Sequence, residues 1–455
     1  MSQSERIMSQ PERTMSFITD QQTLNDLNLL GKHRRGSIFS LFCKVHTTGG
    51  ERLLEQFFRH PLTDAGAINQ RSGLFRYFAG QDLVFPLSGA QVEAMESYLE
   101  SPGQGNLSAA VWHGLRYKAM AALVRDETYG LLREGLLAAV NGLSVLSVFL
   151  RELVARDPMG PYVSQAKAAM AVLEDRRLAP VLGDERPEDW TLLTVARYDH
   201  LLRTRLRSGL ENVRNVLSEL DVYTGVGNLA RANGWGYARA LPPTDNIVWI
   251  EGLKHPAVSH AVGNSITLEK NTNMLFLTGA NMAGKSTFMK AFGVSVYLAH
   301  MGFPVAATEM AFSVRDGLFS SINVADDLSQ GHSHFYAEVL RVKKVAQAVS
   351  EGKRLVVLFD ELFKGTNVKD AYDGTLAVTD AFSRYRRCAF IISTHIVEAG
   401  EVLRKRRDNL RFAYLPTVLE NGRPRYPYIL QEGIAADRVG MMIIENEGII
   451  DIIKK

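Results

Sequence analysis

The stretch Gly279–Thr287, which reads GANMAGKST, carries residue types whose spacing is suited to phosphate chemistry. It has the form G-x-x-x-x-G-K-S, follows an apolar run and precedes a helix-like stretch. The two glycines let the backbone turn tightly, so that amide N–H groups can point at phosphate oxygens. Lys285 is then placed to reach the β- and γ-phosphates, and the Ser286 hydroxyl to bind magnesium. The loop therefore predicts a site for ATP and Mg²⁺.

A second element, LVVLFDELFKGTN, runs from Leu355 to Asn367 and places two acidic residues after an apolar strand. Asp360 at the end of such a strand can hold the water shell of a magnesium ion. Glu361 beside it is placed to orient and deprotonate an attacking water molecule. Two acids after an apolar strand are weak evidence alone, since a strand can simply end at the surface. Combined with the Lys285 loop, they indicate hydrolysis of the bound nucleotide.

Two further segments carry candidate site residues. CAFIISTH ends in His395, which could be purely structural but, beside a phosphate site, is predicted to sense the γ-phosphate. DDLSQGHSHFYAEV contains Ser333 just before a helix predicted to begin near Phe335. A helix N-terminus favours anions, although an ordinary N-cap would have the same sequence. Because the chain's own loop needs no second anion site, Ser333 is predicted to close over a partner subunit's nucleotide, in a dimer with composite sites.

The pattern of apolar residues divides the chain into three parts. Residues 1–28 are polar and are expected to form a flexible tail. Residues 29–241 show apolar positions three and four apart, which predicts helices almost throughout. From 242 to 455, short apolar runs alternate with helical stretches, as in a nucleotide-binding α/β domain. The predicted strands are Ile247–Ile250, Met274–Thr278, Leu355–Phe359 and Cys388–Ser393. The expected fold is thus an all-α core or lever domain followed by an ABC-like α/β P-loop ATPase domain.

Composition excludes several classes of protein. The formal charge of +3 is nearly balanced, so charge alone does not indicate a nucleic-acid-binding protein. Two cysteines provide neither a disulfide framework nor a metal-binding pattern. The N-terminus lacks an apolar segment of the signal-peptide type, and the apolar run 135–150 is too short to span a membrane. These features predict a cytoplasmic protein without a membrane segment.

The order and the sequences of four motifs resemble those of the ATPase domain of the MutS family of DNA mismatch-repair proteins. The motifs are TGANMAGKST, DDLSQGHSHFYAE, DELFKGT and STH, and the pair Asn281-Met282 is especially specific. Upstream, the segment beginning SLFCKVHTTGG at Ser40 is similar to the start of the family's helical core. LSELDVYTGVGNLARANGWGY is similar to its closing helix, and EGLKHPAV to the lead into the ATPase. The resemblance covers roughly residues 30 to 450.

The resemblance implies roles for individual residues. Asp360 and Glu361 would handle magnesium and water, His395 would sense the γ-phosphate, and Ser333 would reach the partner's nucleotide. The residues expected to contact ATP are Gly279, Asn281, Met282, Gly284, Lys285, Ser286 and Thr287.

The sequence also departs from the family pattern at several positions. Ala280 and Ala283 replace the usual proline and glycine of the loop, and His334 stands where threonine is usual. Ala261 occupies the region where an aromatic side chain often stacks on adenine, so the base contact is not identified from the sequence.

The resemblance leads to the expectation of a short family form without the N-terminal mismatch-recognition and connector domains and without a nuclease domain. The family's mismatch wedge is a Phe-x-Glu triplet, and the only such triplet here is Phe359-Asp360-Glu361.

The favoured hypothesis is a homodimeric, mismatch-repair-related ATPase in which ATP-driven dimer closure controls a helical DNA-contacting domain. The alternative is a nucleotide-switched clamp or scaffold that acts on RNA, ribosomes or a protein partner. A subunit of an ABC transporter is disfavoured, because no membrane segment is predicted.

Overall fold

The structure is a computed structural model of the 455-residue chain. It describes residues 16–31, 36–103, 106–112, 115–116, 128–183, 187–322, 334–420, 423–435 and 452–453. The chain divides into two compact units. One comprises Met1–Ser40, Phe58–Ser72 and Asn233–Lys455, and is called the sheet unit below. The other comprises Leu41–Phe57 and Gly73–Ala232, and is called the helical unit.

The described residues before Asn233 form helices. They are α1 (Gln21–Asp26), α2 (Ile38–Phe42), α3 (Thr48–Arg59), α4 (Ala65–Gly80), α5 (Gly89–Glu100), α6 (Thr128–Arg156), α7 (Val163–Leu173), α8 (Ala179–Leu182), α9 (Leu192–His200) and α10 (Arg207–Asn233). A short 3₁₀ turn at Pro187–Asp189 and a π-helical turn at Leu201–Arg205 lie between them. The helical unit contains no strand among its described residues.

Helix α6 is the longest element of the helical unit, and its sequence shows why it is buried. Its buried residues recur every three or four positions, which places them on one helix face. They include Leu136, Ala139, Val140, Leu143, Leu146, Leu150 and Leu153. Tyr129–Arg156 has the length and the mean hydropathy, 1.6, to cross a membrane, but half of its most apolar window is buried within the protein. A core helix of a helical bundle has the same properties.

A glycine allows two other helices of this unit to approach closely. A Cβ atom added at Gly227 of α10 would lie 2.9 Å from the backbone nitrogen of Ala79 in α4. No side chain fits at that distance, so this crossing of the two helices requires glycine.

The sheet unit contains two mixed sheets and a small hairpin. Its strands are β1 (Gly236–Leu241), β2 (Val248–Leu253), β3 (Asn264–Leu268), β4 (Met274–Gly279), β5 (Pro304–Val305), β6 (Glu309–Ser313), β7 (Gly317–Ser321), β8 (Leu355–Asp360), β9 (Ala389–Ser393), β10 (Leu410–Leu415), β11 (Val418–Glu420), β12 (Arg423–Arg425) and β13 (Gln431–Glu432). Its helices after β4 are α11 (Lys285–His300), α12 (His334–Ser350), α13 (Val368–Ser383) and α14 (Val397–Arg406). In the described residues the sheet orders are β3-β2-β6-β1-β5, β13-β10-β4-β9-β8-β7 and β11-β12.

The larger sheet brings the predicted site motifs together. Strands β10, β4, β9, β8 and β7 run parallel, so their carboxyl ends meet at one edge. All residues of β4 and β9 are buried, as expected for central strands covered on both faces. In open α/β sheets, ligands bind outside the carboxyl ends of the strands. The four strands predicted from the sequence correspond to β2, β4, β8 and β9.

The structure differs from the expected organisation at three places. Residues 29–40 and 58–72, expected in the helical domain, belong to the sheet unit. Helix α1 and the residues around it belong to the sheet unit, so residues 16–28 are folded and the predicted tail does not extend over them. The polar sequence of these residues suggested a tail, because the residues that hold them in place are distant in the chain and leave no local signal. Strand β1 also precedes the boundary expected at residue 241, and the division between units falls at Asn233. The paired residues of β1 belong to β5 and β6, which follow it by more than sixty positions.

Candidate functional site

The loop between β4 and α11 has the backbone geometry predicted for a phosphate loop. Gly279 has φ 138° and Gly284 has φ 100°, a region that favours glycine. A Cβ atom at Gly279 would lie 2.7 Å from the carbonyl oxygen of Leu415 in β10. Ala283 is fully buried and does not have a positive φ, so an alanine fits there. The loop therefore needs Gly279 and Gly284 but accommodates Ala283.

Lys285 begins α11 and lies at the centre of the site. Its side chain is only 4% exposed, and its Nζ donates to the carbonyl oxygens of Gly279, at 2.9 Å, and Ala280, at 3.2 Å. The carboxylate of Glu361 lies 3.7 Å from the same Nζ. Burial lowers the pKa of Lys285, while the nearby charges of Glu361 and Asp360 oppose that shift. The lysine is thus buried beside two carboxylates at the end of the loop.

Asp360 is held by two hydroxyl groups from neighbouring elements. The Ser286 hydroxyl of α11 donates to one of its carboxylate oxygens, and the Ser393 hydroxyl of β9 donates to the other. Asp360 and Ser393 are paired in the register of β8 and β9. The predicted magnesium residues, Ser286 and Asp360, are therefore in contact. Ser393 was not identified from the sequence, although a hydroxyl residue immediately before Thr394-His395 was a visible signal.

Glu361 lies just beyond β8 in an uncommon backbone conformation. Its φ is 52°, in the left-handed region that non-glycine residues rarely adopt. The conformation is fixed because its backbone N–H donates to the carbonyl oxygen of Ser393, at 2.9 Å. Such strain persists only where the surrounding structure determines it, and it is common at functional sites. The turn directs the chain so that the Glu361 carboxylate lies beside Lys285.

The structure does not place His395 in the described site. His395 is exposed on the turn after β9, and it does not line the cavity described below. Its neighbour Thr394 is fixed by a hydrogen bond from its backbone N–H to the carbonyl oxygen of Leu277, at 3.0 Å. Ser333 lies outside the described residues. The helix predicted after it, α12, begins at His334.

A cavity of about 630 Å³ opens beside the loop. Its lining includes Lys285, Ser286 and the two acids Asp360 and Glu361. The predicted loop residues Asn281, Met282, Gly284 and Thr287 also line it. Lys364, which follows the two acids in sequence, also lines it. The residues at and between the end of β2 and the start of β3 also line it: Leu253, Lys254, His255, Val258, Ser259, His260, Ala261, Val262 and Asn264.

An aromatic side chain in the cavity comes from a segment that sequence analysis did not identify. Tyr428, between β12 and β13, lines the cavity and lies against the loop. A Cβ atom at Gly284 would be 3.0 Å from its ring carbon Cδ1. Asn264 fixes this segment, because its side-chain nitrogen donates to the Tyr428 carbonyl at 2.9 Å and its oxygen accepts from the Leu430 N–H at 2.6 Å. Ala261 also lines the cavity, as do the aromatic residues Phe288 and Tyr428.

Comparisons with known proteins agree with this geometry. The family model described as MutS domain V matches residues 275–455, which contain the loop, both acids and Tyr428. The DNA mismatch repair protein MutS of Bacillus cereus (strain B4264) is 28% identical over 313 residues, covering 63% of this chain and 35% of the relative. The protein of the same name from Bacillus thuringiensis (strain Al Hakam) shows the same identity and coverage. The chain spans about a third of the length of the curated relatives it matches. The motifs, the loop geometry and these matches support membership of the MutS family, with the family model covering residues 275–455.

Proposed function

We propose that this protein binds ATP with magnesium in the cavity beside Lys285 and hydrolyses it to ADP and phosphate. The observation that carries the proposal is the convergence of Lys285, Ser286, Asp360 and Glu361 at the carboxyl ends of β4 and β8. A buried ammonium group suits the β- and γ-phosphates, and the loop amides add partial positive charge. Together they form a site for a highly charged phosphate chain.

The donor set fits magnesium, which prefers oxygen ligands. Ser286 and Asp360 would hold the ion, since their oxygens already lie in hydrogen-bond contact. When bound, the ion neutralises charge on the phosphate oxygens. Glu361 would accept a proton from water as the water oxygen attacks the γ-phosphorus and ADP leaves. His395 remains a proposed γ-phosphate sensor, through movement of its exposed turn.

Tyr428 is proposed to stack on the adenine ring, a contact that was not identified from the sequence. Aromatic stacking on a base contributes about 1–3 kcal/mol. Tyr428→Ala should therefore weaken ATP binding by about five- to 150-fold, measured by equilibrium titration, with turnover at saturating ATP unchanged. Tyr428→Phe keeps the ring and serves as the control. Equal affinities of wild type and Tyr428→Ala would show that the base is held elsewhere.

We further propose that the chain acts as a homodimer with composite sites, in which Ser333 of one subunit reaches the nucleotide of the other. The resemblance of residues 326–339 to the family motif supports this arrangement. In a mixture of Lys285→Ala and Ser333→Ala subunits, one interface of each heterodimer pairs an intact loop with an intact Ser333. The mixture should therefore hydrolyse ATP faster than either variant alone. Activity no higher than that of the separate variants would argue against composite sites.

The proposed target is DNA, and the helical unit is proposed as the DNA-contacting lever. The matched relatives carry the name DNA mismatch repair protein, which supports a DNA partner for this chain. ATP-driven closure of the dimer would control the contact, and the protein would act in the cytoplasm.

The only Phe-x-Glu triplet of this sequence cannot act as a mismatch wedge in the described fold. Its Phe359 is fully buried within β8, and its acids belong to the ATP site. DNA contacts are therefore expected to be mainly to phosphates and strongly salt-dependent. A single mismatch should change the affinity less than about fivefold, which is about 1 kcal/mol.

Competition binding at fixed salt tests this expectation. Homoduplex, mismatched and branched DNA are compared, with RNA as the control. A preference of about tenfold or more for mismatched duplex would contradict the expectation. Binding of RNA without binding of DNA would favour the alternative hypothesis of an RNA-directed clamp.

A further inference from the structure

Residues 17–29, called the N-terminal segment below, pack within the sheet unit against the helix that follows the phosphate loop. The Phe17 ring lies 4.6 Å from the ring of His300 and 5.9 Å from that of Tyr297, both in α11. Leu27 is almost fully buried, and a Cβ atom at Gly293 of α11 would lie 2.9 Å from its Cδ2. The apolar residues of this segment therefore anchor it to the sheet unit.

The segment also extends the edge of the larger sheet. Ile18 forms a parallel bridge with Gly317 at the start of β7. Its N–H donates to the carbonyl of Asp316, at 2.8 Å, and its own carbonyl accepts from Leu318, at 2.9 Å. Further along the segment, the Thr23 hydroxyl accepts a hydrogen bond from the Ser320 N–H, at 3.0 Å. The segment thus follows β7 towards the end at which the nucleotide cavity lies.

Asp26 fixes the last residues of β7. Its side chain is buried, and one carboxylate oxygen accepts from the Ser320 hydroxyl, at 2.8 Å, and from the Ile322 N–H, at 2.9 Å. Ile322 is a wall residue of the cavity that contains Lys285. A buried carboxylate that accepts hydrogen bonds holds its donors more strongly than a neutral acceptor does. Asp26 therefore sets the position of a wall residue of the cavity.

Asp20 connects the same region to α12 through ion pairs. Its carboxylate caps α1 through the Thr23 N–H, at 3.0 Å, and pairs with both terminal nitrogens of Arg341 and with Lys344, at 2.7 Å. Arg341 is buried and also donates from Nε to the carbonyl of Ser320, at 3.1 Å. Burial raises the pKa of Asp20, but the hydrogen bonds from Arg341 and Lys344 outweigh this and leave the pKa well below its usual value. The Asp20 carboxylate is thus charged at neutral pH.

We propose that the N-terminal segment is a positioning element for the hydrolytic side of the ATP site, with Asp20 and Asp26 as its positioning residues. Strand β7 pairs with β8, and Ser321 lies opposite Phe359, the residue before Asp360. Holding the end of β7 therefore holds the strand that presents Asp360 and Glu361. The phosphate loop follows β4, which is separated from β7 by β9 and β8. Loss of either carboxylate should consequently affect hydrolysis more than binding. The inference rests on the proposed ATPase function.

The same strand provides a matched control at its other end. Asp316, just before β7, pairs with Arg354, and its carboxylate also accepts from the Arg354 backbone N–H, at 2.8 Å. Like Asp20, it is a mostly buried carboxylate bound by an arginine side chain. It lies at the amino end of β7, whereas Asp20 and Asp26 act on the carboxyl end. Asp316→Asn therefore weakens the strand without loosening its nucleotide end.

The experiment compares kcat, KM, ATP Kd and Tm for the full chain and for Asp20→Asn, Asp26→Asn and Asp316→Asn. We expect kcat to fall at least about fivefold in the first two variants, with ATP Kd within about twofold of the wild type. Asp316→Asn should lower Tm but keep kcat and ATP Kd within about twofold of the wild-type values. Asp20→Glu, which restores the charge, should recover at least about half of the lost kcat.

Three results would overturn the inference. One is an unchanged kcat in folded Asp20→Asn and Asp26→Asn; another is an equal fall of kcat in Asp316→Asn. The third is a loss of ATP affinity as large as the loss of kcat. If Asp26→Asn does not fold, Ser320→Ala removes a single donor to Asp26 and must lower kcat at least about twofold. A wild-type chain without ATPase activity would instead refute the proposed function itself, so the two failures are distinguishable.

Discussion

Glu361→Gln should leave ATP binding intact and slow hydrolysis by about 100- to 10,000-fold, the usual effect of losing a general base. The amide has nearly the shape of the carboxylate but does not accept the proton of the attacking water. Its backbone position should persist, because the hydrogen bond that fixes it comes from the Glu361 N–H. The variant should therefore accumulate in the ATP-bound form, which we propose to be the closed dimer. Single-turnover release of phosphate and a nucleotide titration measure the two effects separately.

Glu398→Gln is a suitable control for that variant. Glu398 is exposed in the first turn of α14, in the chain segment that follows His395, so the same change of charge occurs outside the cavity. Its turnover should equal that of the wild type. If Glu361→Gln also turned over at the wild-type rate, the base would be another group and the role given to Glu361 would be wrong.

Lys285→Ala should weaken ATP binding by at least about 100-fold, which corresponds to about 3 kcal/mol. The buried Nζ is the cation of the phosphate loop, and its removal leaves phosphate charge facing Asp360 and Glu361 without compensation. Isothermal titration with ATP and magnesium measures the loss. Lys343→Ala removes an exposed lysine of α12 and should bind normally. Wild-type affinity in folded Lys285→Ala would exclude this cavity as the phosphate site.

The central strands and the phosphate loop could be predicted because their signals are local. The runs at Met274 and Leu355 are continuously apolar, and each is followed directly by the residues that do the chemistry. Parallel strands present their carboxyl ends at one edge, so two motifs distant in sequence could be expected to meet. The contact between Ser286 and Asp360 agrees with that expectation.

The remaining parts of the site depend on contacts that leave little local signal. Tyr428 lies in a short irregular segment, and only its approach to Gly284 places it in the cavity. The polar stretch around Asp20 suggested a tail, because its partner Arg341 is more than three hundred residues away. Strand β1 was interpreted as the end of a helix, since its pairing partners also lie far along the chain. Contacts with residues distant in the sequence determine the structure at each of these positions.

The most direct test of the proposed ATPase function is the release of phosphate from ATP by the wild-type chain, measured with and without magnesium and with and without duplex DNA. We expect release that requires magnesium, is lost in Lys285→Ala, and changes in rate when duplex DNA is added at low salt. A folded wild-type chain that releases no phosphate under any of these conditions would refute the proposed function.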